Sequence, residues 1–310
     1  MPAAQRMNEA LRQMGDLIPA LDTPEQVAKA RVLPDMYANQ ELALPMQDRM
    51  VPGAAGDIHA RVAVPVDNPR AIVLDFHGGG FCLGWPESKD ATNARLARDA
   101  QVAVISVEYR LAPEHPFPAG PDDCAAAAAW LVANAKAEFG TETLLLAGDS
   151  AGGNLAMLTA LRLREQGLLG TVAGLLLTYG VYDLSGTPSS RNRSGETLVL
   201  SARASEQFHD LYVPGHTDES LRDPAISPLY ADLAGLPPAL LLAGTHDPLL
   251  DDSLFMTARL RAAGGHADLV VVPESPHGFA AFPTPMAEEA ELLTIEWVQA
   301  LLDAPPELVR

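Results

Sequence analysis

Strand-length apolar runs recur along the chain at residues 71–76, 102–107, 144–147, 172–178, 239–243 and 268–272. Such unbroken runs suit parallel strands covered on both faces, because neither set of alternating side chains then meets water. Between them, apolar residues at helical spacing mark stretches near 91–99, 121–138, 154–166, 252–263 and 286–302. The second of these shows its direction: Pro121, Asp122 and Asp123 suit a helix start, and Gly140 lies just past its end. Alternating β and α units predict an α/β fold, a mainly parallel sheet with helices on both faces.

Three regions depart from that rhythm. Residues 8–17 and 24–37 read as two short amphipathic helices, serving either as packing or as a lid over a pocket. Residues 48–65 alternate around a PGAAGD turn and predict an antiparallel pair entering the sheet. Residues 183–228 form a long polar insertion between two sheet strands, read as a second part of the lid. The expected organisation is therefore 1–45 as N-terminal cap helices and 46–310 as one catalytic domain, with 183–228 inserted into it.

Composition narrows the class. In 310 residues, 21 Lys plus Arg stand against 40 Asp plus Glu, a formal charge of −19. That balance argues against nucleic acid or another polyanionic partner and is expected to serve solubility. The N-terminal stretch lacks the apolar core of a secretory signal, and the longest uncharged apolar stretch, 124–133, is too short to span a bilayer. A soluble cytoplasmic protein without membrane contact is the expectation. Cys82 and Cys124 have no metal-ligand spacing and are expected as reduced thiols.

The chemistry centres on residues 144–154, LLLAGDSAGGN, where a strand pattern ends in a glycine-flanked serine and a helix pattern begins. Gly148, Ser150 and Gly152 form a Gly-x-Ser-x-Gly turn, which exposes a serine oxygen while the glycines let strand and helix pass closely. A serine hydroxyl needs a base, and the base a carboxylate to orient it. Sites in open α/β sheets gather at the carboxyl ends of strands. That criterion selects His277, in the loop PESPHGF, and Asp247, at the end of ALLLAGTHD; Asp251 and Asp252 are rivals with a ready role as helix-start acids. The order Ser150, Asp247, His277 is that of an α/β-hydrolase. Residues 76–81, FHGGGF, follow an earlier strand and can turn backbone N–H groups toward an oxyanion.

With HGGGF at 77–81, YRLAPEHPFPA at 109–119, GDSAGGN at 148–154, Asp247-Pro248-Leu249 and His277-Gly278-Phe279, the chain resembles the bacterial hormone-sensitive lipase-like, or family IV, esterases. The resemblance implies an eight-stranded α/β-hydrolase sheet under a two-part helical cap, and a carboxylesterase with Ser150 as nucleophile, His277 as base and Asp247 as acid. It implies an oxyanion hole of Gly79, Gly80 and Ala151 N–H groups, with Gly78 open because loop register is not visible. His77, Tyr109, Arg110 and Glu114 would brace the site. Leu250-Asp251-Asp252 departs from the family pattern, in which an arginine often follows Asp-Pro-Leu, and this puts a local salt link in doubt. No metal or organic cofactor is called for, and the resemblance is compatible with a homodimer.

The expected substrate is a small-molecule ester of short to medium acyl length. Phe81, Trp85, Tyr182 and Phe279 are candidate pocket walls, each with ordinary core packing as its alternative. Hydrolysis of an amide or lactone on the same machinery is the first rival. A non-catalytic ligand receptor is the second, weakened by His277, which the related plant gibberellin receptors have lost.

Overall fold

The computed structural model describes residues 3–14, 17–32, 41–191 and 198–304. Eight strands form one sheet: β1 (Gln47–Gly53), β2 (Gly56–Ala63), β3 (Ile72–Phe76), β4 (Ala103–Val107), β5 (Leu144–Asp149), β6 (Val172–Thr178), β7 (Ala239–His246) and β8 (Ala267–Pro276). Their spatial order is β1-β2-β4-β3-β5-β6-β7-β8. The first two strands pair antiparallel, β2 runs antiparallel to β4, and every later pairing is parallel.

The continuous apolar runs are explained by two cores divided by the sheet. Ile72, Leu74 and Phe76 face one core, with Leu144, Leu146, Leu175, Leu177, Ala239 and Leu241 beside them. Val73, Leu145, Ala147, Leu176, Leu240 and Leu242 face the other. The first core is covered by α4 (Ala119–Phe139), α5 (Ala151–Glu165) and α8 (Leu250–Ala262); the second by α3 (Asp90–Ala100) and α9 (Pro285–Asp303). Alternate side chains thus point to opposite cores, and no position in the middle strands is left for water.

The boundaries move where polar residues still pair. β7 and β8 outrun their apolar segments, because 244–246 and 273–276 continue the ladder across a register shift to a His246–Pro276 pair. The residues that follow, Asp247 and His277, are thereby delivered side by side. The helix expected over 8–17 is α1 (Ala3–Met14), with Asn8 and Leu11 buried. The helix expected over 24–37 is α2 (Pro24–Ala30), opened by a capping box of Thr23 and Gln26; residues 33–37 lie outside the described residues.

The insertion between β6 and β7 carries helices. It contains α6 (Pro188–Arg191), α7 (Ala202–Tyr212) and a short 3-10 turn, Ser220–Arg222; residues 192–197 lie outside the described residues. The buried face of α7 carries Ala204, Phe208 and Tyr212 at spacings of four residues, and these join the first core. The same helix reaches the N-terminal segment, where Gln207 bonds to Asp22 and Arg203 donates to the Ile18 carbonyl at 3.4 Å.

Candidate active site

Ser150 sits between the end of β5 and the start of α5 with φ 54° and ψ −117°. A non-glycine residue there carries strain of about 1–3 kcal/mol, which the surroundings must hold. Its N–H donates to the Thr178 carbonyl at 2.9 Å, and its carbonyl accepts from Gly153 N at 3.0 Å. The flanking glycines are steric necessities. A β-carbon on Gly148 would lie 2.1 Å from the Gly152 carbonyl oxygen, and one on Gly152 would lie 1.8 Å from that of Phe76.

The hydroxyl of Ser150 lies 2.9 Å from His277 Nε2. The other ring nitrogen, Nδ1, lies 3.0 and 2.9 Å from the two oxygens of Asp247. The Asp247 side chain is fully buried and is held further by Leu249 N, which donates to it at 2.7 Å. A buried carboxylate against Nδ1 fixes the tautomer whose Nε2 accepts a proton from the serine. Tyr179 packs edge-on against the imidazole with centroids 5.1 Å apart.

The rival carboxylates are engaged elsewhere. Asp252 accepts from Tyr182 N at 2.7 Å, Asp183 N at 2.8 Å and Thr187 Oγ1 at 2.8 Å, and Asp251 accepts from Ser189 N at 2.8 Å. Both lie in the first turn of α8, as expected, yet their hydrogen bonds go to the root of the insertion. Burial pushes the Asp252 carboxyl up to about 7, against the pull of those donors.

The glycine loop follows β3. Gly78 N donates to Asp149 Oδ1 at 3.2 Å, whereas Gly79 N, Gly80 N and Ala151 N donate to no other group among the described residues. Gly79 and Gly80 have φ of 121° and 61°, and this backbone aims successive N–H groups in ways a side chain would hinder. The alternative at Gly78 is therefore disfavoured, because its N–H is already in use. His77 is buried, stacked on Tyr109 at 4.4 Å, and directs Nδ1 at the Gly78 carbonyl, 2.8 Å away; burial lowers its pKa, so it braces the loop as a neutral ring. Tyr109 donates to the His77 carbonyl at 2.8 Å, Arg110 is locked to Asp123 at 2.7 Å, and Glu114 pairs with Arg31 at 2.9 Å. The Arg31 guanidinium also donates to the carbonyls of Cys82 and Ala112, and the Arg31 backbone carbonyl accepts from Trp85 Nε1, so the N-terminal segment grips the glycine loop.

Of the four expected wall residues, two belong beside the glycine loop and two do not. Phe81 stacks on Tyr212 of α7 with centroids 3.9 Å apart, and Trp85 is half-buried. Tyr182 is fully buried, its ring lying against Gly180 and its hydroxyl near Gly153, behind the serine turn. Phe279 is also fully buried, in the core on the far face of the sheet, against Tyr179 at 5.5 Å. Gly278, at φ 70°, turns the chain there after His277. A residue not foreseen takes their place: Phe208 of α7 lies so close over the loop that a β-carbon on Gly80 would fall 2.3 Å from its ring.

The chain matches the alpha/beta hydrolase fold family over residues 73–281. It is 37% identical over 300 residues to the carboxylesterase NlhH of Mycobacterium tuberculosis, covering 92% of each protein. Among solved structures, a hyperthermophilic esterase from the archaeon Pyrobaculum calidifontis is 34% identical, with a TM-score of 0.85 over 98% of this chain and 100% of the other. A hormone-sensitive lipase from a metagenome library is 29% identical, with a TM-score of 0.82 over 97% of this chain and 98% of the other. The fold, the family match and these relatives together make the chain a carboxylic ester hydrolase of the hormone-sensitive lipase-like, or family IV, esterases.

Proposed function

We propose that the protein is a serine carboxylesterase for small-molecule esters of short to medium acyl length, working through an acyl-enzyme. The observation that carries this reading is the unbroken line from Asp247 to His277 to Ser150, with every contact within 3.0 Å. Ser150 Oγ attacks the ester carbonyl while His277 Nε2 takes its proton, and the buried Asp247 stabilises the imidazolium so formed. The carbonyl oxygen becomes an oxyanion received by the Gly79, Gly80 and Ala151 N–H groups. As the tetrahedral adduct collapses, the alkoxide leaves with the proton from His277. Water, deprotonated by the same nitrogen, then attacks the acyl-enzyme and releases the acid and the serine.

The helices of 1–45 and the insertion 183–228 act as a two-part cap in this reading. Their support is the contact of α7 with both the glycine loop and the N-terminal segment. Phe81, Trp85 and Phe208 give the acyl site stiff aromatic walls, with Tyr212 stacked behind Phe81, so each added methylene gains about 0.8 kcal/mol only while it fits. Covalent labelling by an organophosphonate, lost in Ser150→Ala, tests the nucleophile. On aryl esters of rising acyl length, kcat/KM is expected to peak at roughly four to eight carbons and then fall; a steady rise through long chains overturns the acyl-length assignment. Paired esters and amides of one acyl group test the bond cleaved, with the ester expected to be preferred.

A further inference from the structure

On the face of the sheet turned away from α5 and the inserted helix lies a cavity of about 620 Å³, between α3, α9 and the strand ends. At its polar end three charges meet. Lys89 Nζ stands 3.2 Å from Asp149 Oδ1 and 3.6 Å from Asp75 Oδ1. Asp75 is nearly fully buried and is held from its other oxygen by Ser106 Oγ at 2.8 Å and Asn93 Nδ2 at 3.2 Å. The Asp149 oxygen facing Lys89 is the one that accepts the Gly78 N–H. Asp149 is also the residue before Ser150, so one side chain touches both the glycine loop and the serine turn.

We infer that Lys89 is a positioning residue for the oxyanion hole. It acts through Asp149, whose carboxylate anchors Gly78 so that the next two N–H groups face the reacting carbonyl. The inference rests on the proposed role of Gly79 and Gly80.

The reasoning is electrostatic. Asp75 and Asp149 project to the same face from neighbouring strands, where Asp75 pairs with Ala147 and Phe76 with Gly148. Two carboxylates so placed cannot both keep their charge cheaply without a cation between them. Lys89 is that cation: burial disfavours its charge, but Asp149 and Asp75 outweigh burial and hold its pKa above the ordinary lysine value. Other groups facing the cluster do not replace it. His77 from the glycine loop and Tyr179 from the end of β6 are kept neutral by burial. Farther along the cavity, Arg95 of α3 is committed to Glu291 of α9 at 2.9 Å, with exposed Glu288 beside it. Without Lys89, Asp149 loses the cation that holds its Oδ1 in place, and buried Asp75 is left beside it without a counter-charge. An Asp149 side chain free to turn away from Gly78 N leaves the glycine loop without that anchor.

The test compares the wild type with Lys89→Met, Lys89→Arg and Asp149→Asn on one aryl ester. Lys89→Met is expected to lose about 10- to 100-fold in kcat with KM changed less than threefold, because the oxyanion donors act mainly in the transition state. Lys89→Arg should restore kcat. In an Asp149→Asn background, Lys89→Met should cost little further. A simple structural role would lower the melting temperature and cost as much in either background, so an undiminished kcat in folded Lys89→Met, or an equal loss in the Asp149→Asn background, overturns the assignment. Should Lys89→Met not fold, Lys89→Gln read in the same assay decides it on the same criterion. Wild-type turnover that disappears in Ser150→Ala upholds the underlying reading independently of either result.

Discussion

In the proposed mechanism Ser150 and His277 share one proton-transfer step across the 2.9 Å that separates them. Ser150→Ala and His277→Ala are each expected to reduce kcat by about four orders of magnitude or more, and the double mutant to lose little beyond that. Steady-state kinetics on folded variants checks this; losses that multiply would show two independent contributions. Gly152→Ala should fail differently. With a β-carbon 1.8 Å from the Phe76 carbonyl oxygen, the backbone of β3 or α5 must shift, and thermal unfolding should show loss of the native transition or a large fall in its midpoint. The Ser150 turn was legible in the sequence because its constraint is local: a glycine-flanked serine after a strand fixes its own surroundings. Tyr182 and Phe279 were not. Each lies within three residues of a left-handed backbone position, at Tyr179 and Gly278, and such turns decide which face of the sheet a side chain joins.

Among the elements, the sheet was readable from its apolar runs, and its polar strand ends were not. Residues 244–246 and 273–276 carry no hydrophobic signal, yet their pairing sets Asp247 beside His277. The α7 helix was hidden by the polar character of the insertion, although Ala204, Phe208 and Tyr212 keep helical spacing. At the root of that insertion Asp252 joins α8 to residues 182–187, and its raised pKa makes the joint depend on pH. Folding stabilises the protonated form of this buried acid. Its contribution is therefore fully present below the ordinary aspartate value and is lost as pH rises toward about 7. Asp252→Asn keeps an oxygen acceptor for the Tyr182 and Asp183 amides but cannot ionise. The melting temperature of Asp252→Asn minus that of the wild type is expected to rise between pH 5 and pH 8, by an amount on the order of a few kcal/mol in stability. Calorimetry across that range measures it, and a flat difference would show that Asp252 stays ionised throughout.

Across the whole molecule, the sheet separates two regions of unlike duty. The core under α4, α5 and α8 merges with the inserted helix and with Leu21 and Val27 of the N-terminal segment, while Leu44 and Met46 pack against the core under α3 and α9. No described helix is long and apolar enough to cross a membrane. The N-terminal segment is fastened by Arg31 to the glycine loop and to 112–114. Arg31→Ala is therefore expected to lower kcat/KM severalfold while leaving the global unfolding transition nearly in place, because it releases a clamp rather than a core. Parallel activity and calorimetric measurements separate those effects.

Phe208 rests on Gly80 itself, and Tyr212, one turn further along the same helix, is stacked on Phe81. In the proposed reading, the cover over the site and the floor that receives the oxyanion are thus two sides of a single contact. A substrate that enters by lifting α7 would uncover the glycine loop as it does so, and the loop would regain its support only when the helix settles back over the acyl group. Chemical competence would then be timed by closure. An ester too long to let Phe208 return would bind with its carbonyl near Ser150 yet react slowly, converting a steric limit on chain length into a loss of kcat rather than of affinity.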